Sequence, residues 1–172
     1  DIFSRQLDFE KFDLIYAGAQ KNMGPAGTTL VIIKEEILGK VERHIPAMLN
    51  YQTHINKDSM FNTPSVFAVY VSTLTLQWLK DLGGIPFIEK VNNQKAALLY
   101  NEIDRNTLFK GIVATEDRSI MNATFVLTDA AYKDTFEQLC KEAGMELMDI
   151  EVWAATEQAC TMHCLCTVFK FW

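Results

Sequence analysis

The sequence predicts an α/β fold in two parts, and three observations support this prediction. Short apolar runs that are rich in β-branched residues and bounded by glycine or proline predict strands near the start of the chain. Two long patterns with apolar residues at helical spacing follow them. A strand–strand–helix pattern then predicts a small α/β unit. A chain of 172 residues, 49% of them hydrophobic and 22% charged, is long enough for one large core or two smaller ones.

The first part is predicted to contain two strands and a long helix. The strands span residues 14–17 and 28–33, and Lys21 falls in the turn between them. A short helical turn at 35–39 and a polar loop then lead to the helix, with Thr63 as its N-cap and Pro64 at its first position. The helix is expected to end at Gly83-Gly84. The residues at helical spacing are Val66, Val69, Tyr70, Thr73, Leu74 and Trp78.

The second part is predicted to begin with a helix at about residues 86–104, which bridges the two parts. Strands at 111–115 and 123–127 and a helix at 130–143, closed by Gly144, complete this part. We place the domain boundary near residues 81–86, which gives domains of 1–82 and 83–145. The apolar stripe of the bridging helix and its spacer are supplied by Ile88, Val91, Lys95, Leu98 and Leu99.

The net charge and the spacing of the cysteines argue against several classes of function. A net charge of −6 is unlike the basic charge expected of a protein that binds nucleic acid or an anionic membrane, and it leaves room only for local basic patches. No segment is as long as a membrane span, and no signal peptide is recognisable. The spacing of the cysteines is irregular for zinc and unlike a disulfide framework, so we expect no metal site and a reducing, cytoplasmic setting. These residues are Cys140 and the cluster of Cys160, His163, Cys164 and Cys166.

The surroundings of Lys21 are those expected of a lysine that binds a carbonyl cofactor such as pyridoxal phosphate. The small residues at 17–19 let a flat ring approach, and Gly24 and Gly27 let the backbone turn beneath a ligand. Such a lysine must be held rigidly and must lose its proton near neutral pH. The alternative is a solvated lysine in a turn, which is the commoner state of a lysine.

Asn62 and Thr63 stand where a helix N-terminus is predicted. The unpaired amide groups and the positive dipole end of a helix attract anions, so these two residues are placed to hold a phosphate. The alternative is a plain helix cap without a ligand.

Two segments carry a resemblance to a known family. Residues 16–27, Tyr-Ala-Gly-Ala-Gln-Lys-Asn-Met-Gly-Pro-Ala-Gly, and residues 59–64, Ser-Met-Phe-Asn-Thr-Pro, closely resemble the phosphoserine aminotransferases. The resemblance extends over residues 1–145. It implies part of the large pyridoxal phosphate-binding domain of a fold type I aminotransferase, followed by a small C-terminal α/β domain.

The resemblance also implies a reaction and a set of site residues. It implies that Lys21 forms the Schiff base with pyridoxal phosphate, that Gln20 lies against the cofactor phosphate, and that Asn62 and Thr63 reach that phosphate from the partner subunit of a homodimer. The implied reaction interconverts 3-phosphohydroxypyruvate and glutamate with phosphoserine and 2-oxoglutarate, in serine and pyridoxine biosynthesis.

The same resemblance covers only about the C-terminal half of such an enzyme. The aspartate that pairs with the pyridinium nitrogen and the aromatic residue that stacks on the ring would lie before Asp1. From about Glu146 the likeness ends, and we interpret residues 146–172 as a frame-shifted tail. A frame beginning two nucleotides later gives glycine at Met148-Asp149 and at Trp153-Ala154, and it spells the family ending Gly-His-Arg-Ser-Val-Gly-Gly-Tyr-Arg.

Three other functions stay open at this point. The chain could be an aminotransferase for an unphosphorylated amino acid, or an inactive fragment that serves at most in dimerisation. A phosphate-binding NTPase is a further alternative, but residues 24–29 lack the lysine of a P-loop.

Overall fold

The structure, a computed structural model, describes residues 2–144 and, as backbone, residues 159–163. The described residues divide into two compact units at the bond between Pro86 and Phe87. Each unit combines helices with an antiparallel sheet. The predicted domain limits of 1–82 and 83–145 stay a prediction.

The sheet of the first unit is a two-stranded antiparallel ribbon. Strand β1, Leu14–Gly18, pairs with β2, Thr29–Ile33, from Leu14 opposite Ile33 to Gly18 opposite Thr29. Both predicted strands are therefore confirmed to within one residue, because their β-branched apolar residues favour the extended backbone. The predicted turn at 35–39 is a 3-10 helix, Glu35–Ile37.

The polar loop before the long helix contains more structure than the sequence predicts. It includes a 3-10 helix, Ala47–Leu49, and the short helix α1, Tyr51–Ile55. The side-chain oxygen of Asn50 accepts a hydrogen bond of 3.0 Å from the backbone N–H of Gln52 and so caps α1.

Helix α2 spans Val66–Asp81, and its N-cap is Ser65 rather than the predicted Thr63. Ser65 has a ψ of 83°, so it stays outside the helix, and Pro64 precedes the cap. The predicted end is confirmed: the C-cap is Leu82, and Gly83 takes a positive φ of 110° that few other residues adopt.

The buried face of α2 is formed by small residues. Ala68 and Ser72 are 1% and 6% exposed, whereas the apolar residues that the sequence places at helical spacing are mostly open to solvent. We call four of the open side chains the α2 stripe. They are Val66, Phe67, Tyr70 and Leu74, exposed by 69%, 74%, 60% and 50%.

The second unit begins within helix α3, Gly84–Arg105, which starts two residues before the predicted position. Its buried residues are Asn92, Ala96 and Ile103. Leu98, expected in the apolar stripe, is 77% exposed, so this part of the predicted stripe is wrong.

The sheet of the second unit has three antiparallel strands in the order β3-β4-β5. They are β3, Phe109–Gly111, β4, Asn122–Leu127, and β5, Ala159–His163; helix α4, Lys133–Glu142, lies between β4 and β5 in the chain. The prediction of β4 is confirmed, and that of α4 is confirmed except at its start, where Ala130–Tyr132 form a 3-10 helix.

The predicted strand at 111–115 is wrong. The strand ends at Gly111, and Thr115–Asp117 form a 3-10 helix. A Cβ atom on Gly111 would lie 3.1 Å from Nη2 of Arg118, so the guanidinium group of Arg118 packs against the bare backbone of this glycine.

The core of the second unit is aromatic. Ile103, Ala123 and Phe125 are 2–3% exposed and are covered by residues of α3, β3 and α4. The ring of Phe109 meets those of Phe125 and Phe136 edge to face, with centroids 5.1 and 5.4 Å apart.

In the part that the structure describes, no helix is both long and apolar enough to cross a bilayer.

Strand β5 lies within the predicted frame-shifted tail. The predictions for residues 146–158 and 164–172, including those for Cys164 and Cys166, lie outside the described residues.

Candidate functional site

Lys21 lies on a loop that joins β1 to β2, and the base of this loop is closed by a hydrogen bond. The backbone N–H of Ala19 donates to the carbonyl oxygen of Thr28 over 2.8 Å, one pair beyond the last pair of the ribbon. Ala19 is 5% exposed. The loop therefore begins and ends at a fixed point of the sheet.

The residues that follow Lys21 anchor the loop a second time. Asn22 donates a hydrogen bond of 2.9 Å from its side-chain amide to the carbonyl oxygen of Ile2. The next residue, Met23, is buried with 5% of its surface exposed. Only Gln20 and Lys21 lie between these anchors and Ala19.

Two glycines hold the far side of the loop against α2. Gly24 and Gly27 take φ values of +144° and +120°, which side chains rarely tolerate. A Cβ atom on Gly24 would lie 2.5 Å from Oγ of Ser72, and one on Gly27 would lie 3.2 Å from Cβ of Ala68. The small face of α2 can approach the loop closely because the glycines have no side chains.

The side chains of Lys21 and Gln20 are both exposed. Within residues 2–144, no hydrogen bond or ion pair engages the Lys21 ammonium group. Tyr16, Gly18 and Gln20 alternate on the exposed face of β1 and its extension, and a Cβ on Gly18 would meet nothing within 4 Å. An open surface therefore borders the lysine.

This surface fits the planar aldehyde that the sequence predicts as a ligand. A primary amine without a partner among the described residues is available to a carbonyl group, and the bare backbone of Gly18 leaves space beside it. Anchors on both sides of Lys21 meet the requirement that the amine be held in place.

Asn62 and Thr63 precede α2 and are exposed. The side-chain amide of Asn62 lies 3.3 Å from Sδ of Met48, and no hydrogen bond in the described part of the chain joins Asn62 or Thr63 to Gln20 or Lys21. Amide groups in the first turn of a helix lack partners within that helix, so an anion can bind them. The site residues thus form two groups, one on the lysine loop and one before α2.

Sequence reasoning missed the residues beneath the loop. The side-chain oxygens of Thr28 and Ser72 are buried and have no hydrogen-bond partner among the residues that the structure describes. Serine and threonine occur at many positions of strands and helices, so no pattern in the sequence marks these two. The packing of Ser65, Ala68 and Ser72 against Gly24 and Gly27 is visible only in the structure, where Ala68 and Ser72 are buried and Ser65 is exposed.

The second unit holds a charged cluster that the sequence does not predict. Arg118 donates two hydrogen bonds of 2.7 Å to the carboxylate of Asp104, and its Cζ lies 4.6 Å from the ring centroid of Tyr100. These hydrogen bonds lower the pKa of Asp104 and raise that of Arg118. The cluster joins α3 to the turn before β4.

Metal ligands are sparse among residues that the structure describes. No group of three or more histidine, cysteine, aspartate or glutamate side chains there could hold an ion. Cys140 is buried, and burial raises the pKa of its thiol.

Comparison with known proteins identifies similar chains. The aminotransferase class-V family model matches residues 1–149. The phosphoserine aminotransferase of Flavobacterium psychrophilum is 68% identical over 145 residues, which are 84% of this chain and 41% of that protein. The phosphoserine aminotransferase of Porphyromonas gingivalis is 58% identical over 142 residues, 83% of this chain and 38% of that protein.

Solved structures of phosphoserine aminotransferases are also similar to this chain. A phosphoserine aminotransferase studied for radiation damage of its Schiff base has a TM-score of 0.82 and 40% identity, over 95% of this chain and 45% of that one. The phosphoserine aminotransferase of Trichomonas vaginalis with bound pyridoxal phosphate has a TM-score of 0.79 and 28% identity, over 96% of this chain and 47% of that one. The predicted α/β class is confirmed, and the chain spans about 40% of the length of the relatives it matches.

Proposed function

The chain belongs to the class-V aminotransferase family, and we propose that it is the lysine-bearing part of a phosphoserine aminotransferase. The proposed reaction interconverts 3-phosphohydroxypyruvate and glutamate with phosphoserine and 2-oxoglutarate, in serine and pyridoxine biosynthesis. The observation that carries the proposal is the placement of Lys21 on a loop that is anchored on both sides and bordered by the bare backbone of Gly18, which a lysine in an ordinary solvated turn does not need.

Bound pyridoxal phosphate would supply an electron sink for the carbanion that forms when an amino acid loses its α-proton. Lys21 would bind the cofactor aldehyde through Nζ. When the amino substrate takes its place, the same Nζ would accept the proton from the substrate α-carbon and return it as a general acid. Its two-sided anchoring would keep Nζ within reach of that proton.

Three further residues are proposed to hold the cofactor phosphate. Gln20 precedes Lys21 on the same loop and has an exposed side chain. Asn62 and Thr63 precede the N-terminus of α2, and hydrogen-bond donors in both their side chains suit a phosphate. Their lack of hydrogen bonds to Gln20 and Lys21 in the described chain supports the proposal that they serve the other site of a homodimer.

Full activity is proposed to require more chain than is present here. Relatives of this chain are more than twice as long as the matched region. Recognition of a substrate carboxylate and phosphate favours bidentate arginine, and residues 146–172 contain none. We therefore expect this chain alone to bind the cofactor weakly and to turn over no substrate. A cytoplasmic location is part of the same proposal.

The direct test is chemical labelling of the lysine. The chain is mixed with pyridoxal phosphate, reduced with borohydride and mapped by mass spectrometry. Selective modification of Lys21, lost in Lys21→Ala and retained in a matched Lys40→Ala variant of another exposed lysine, would support the proposal. Equal modification of the exposed lysines would favour the inactive fragment.

The substrate is tested in a completed protein. The upstream part of the Flavobacterium psychrophilum enzyme, which this chain does not cover, is joined to the chain, and the tail is translated in the alternative frame. We expect turnover of phosphoserine that Lys21→Ala abolishes. Turnover of an unphosphorylated donor alone would show a different substrate class. Sequencing the source DNA beyond the codon of Gly144 decides the frame: the shift is rejected if no alternative frame encodes the family ending.

A further inference from the structure

We infer that Asn22 is a positioning residue for Lys21: its hydrogen bond to the Ile2 carbonyl fixes the direction in which the lysine side chain leaves the loop. The inference rests on the proposed role of Lys21. It adds to that role a residue that does not contact the cofactor and acts only through its neighbour.

The first step is the length of chain between fixed points. The backbone of Ala19 is fixed by its hydrogen bond to Thr28, and Asn22 is fixed by its bond of 2.9 Å to Ile2. Gln20 and Lys21 alone lie between them, and both are exposed. Without the Asn22 bond, the next fixed residue is the buried Met23, so the mobile run grows from two residues to three.

The second step is the chemistry of the bond. A carbonyl oxygen only accepts hydrogen bonds, so residue 22 must donate. The side-chain amide of asparagine can do so, whereas aspartate has nearly the same shape and offers only acceptors when ionised. Asn22→Asp therefore removes the bond while preserving the volume of the side chain, and Asn22→Ala removes both.

The chain offers a matched control. Asn93, on α3, donates from its side-chain amide to the carbonyl oxygen of Glu89 over the same distance of 2.9 Å. It belongs to the second unit, whereas the lysine loop belongs to the first. Asn93→Ala and Asn93→Asp therefore remove a hydrogen bond with the same donor and acceptor groups and the same length, and they leave the bond from Asn22 to Ile2 intact.

The experiment uses the full chain in five forms: unmodified, two Asn22 variants and two Asn93 variants. Each is reduced with borohydride in the presence of pyridoxal phosphate, and the label on Lys21 is expressed relative to that on Lys40, which is also exposed. We expect both Asn22 variants to lower this ratio about fivefold to tenfold, which is the effect of losing one ordinary hydrogen bond. Asn93 variants should stay within about twofold. An unchanged ratio in both Asn22 variants overturns the inference.

A readout without cofactor separates the inference from the proposed function. We call the hydrogen bond from the Asn22 side chain to the Ile2 carbonyl the tether. Trypsin cleaves after lysine in mobile segments, so the tether should protect the Lys21-Asn22 peptide bond relative to the exposed Lys40-Val41 peptide bond. We expect Asn22→Ala to raise the ratio of the two cleavage rates at least fivefold and Asn93→Ala to leave it unchanged. Equal cleavage of the two bonds in the unmodified chain overturns the tether, even if a variant fails to fold. Protection by Asn22 in a chain whose lysines label equally would reject the proposed function and retain the tether.

Discussion

Gly24 lies so close to Ser72 that a Cβ atom on the glycine would be 2.5 Å from the serine Oγ and 3.1 Å from its Cα. Because the Cα belongs to the backbone of α2, rotation of the serine side chain cannot relieve both contacts. The loop that carries Lys21 can therefore lie this close to α2 only because residue 24 has no side chain.

Gly24→Ala is expected to destabilise the first unit by about 2–4 kcal/mol, because it adds both a steric clash and a strained φ of +144°. Gly18→Ala is the control, since its Cβ would meet nothing within 4 Å and its φ is not positive. Urea unfolding followed by circular dichroism gives both values. Equal stability of the two variants would contradict the close packing.

Phe125→Ala is expected to reduce the free energy of unfolding of the second unit by about 3–5 kcal/mol. Phe125 is 2% exposed, and its ring packs against that of Phe109. The matched change Phe87→Ala removes the same atoms from a residue of α3 that is 44% exposed, and it should cost much less. Hydrogen exchange of the β4 amide groups measures the difference; similar losses in both variants would contradict an aromatic core.

Because of Asp104, the free energy of unfolding of the second unit is expected to fall at acidic pH. Hydrogen bonds from Arg118 lower the pKa of Asp104 below its ordinary value of 3.8, so the ionised form favours the folded state. This contribution is complete above pH 3.8 and is lost as the pH falls through the lower folded-state pKa.

The measurement is urea unfolding between pH 6 and pH 2. Asp104→Asn should lower stability at pH 6 and should lose less stability than the unmodified chain as the pH falls. The control is Glu116→Gln, which removes an exposed carboxylate from the turn before Arg118. The same acid dependence in the chain and in Asp104→Asn would show that the pair contributes nothing.

Cys140 is expected to resist alkylation in the folded chain. It is 2% exposed, and desolvation raises the pKa of its thiol above the ordinary 9.0, so both access and the thiolate fraction are low at pH 8. Mass spectrometry of the peptide that contains Cys140 follows the modification by iodoacetamide, without and with denaturing urea. Alkylation that is as fast in the folded chain as in urea would contradict its burial.

The sequence predicted best where a local rule decides the structure. The strand at 14–17 follows from its apolar, partly β-branched residues, and the end of α2 follows from Gly83. The strand predicted at 111–115 failed because contacts far along the chain decide it: Asp104 pairs with Arg118, whose guanidinium group lies against Gly111. No window of neighbouring residues contains that information.

In the candidate site, too, features set by neighbouring residues could be predicted from the sequence, and features set by distant residues could not. Lys21 and its glycines could be proposed as a candidate site from the sequence, because a lysine beside small residues and glycine turns suits a carbonyl cofactor. The burial of Ser72 and the bond from Asn22 to Ile2 could not, because each depends on a partner that is distant in the chain. Thr63 was misplaced as the N-cap by the general preference for proline at the first helical position.

The α2 stripe sets the conditions under which this chain can be handled in the laboratory. Four large apolar side chains lie 50–74% exposed along one helix, in a protein of net charge −6. Salt weakens the repulsion between such molecules and strengthens the attraction between apolar surfaces. Concentrated solutions should therefore stay clear in dilute buffer and turn turbid as ammonium sulfate is added, and replacing Phe67 by a charged residue should raise the salt concentration at which this occurs.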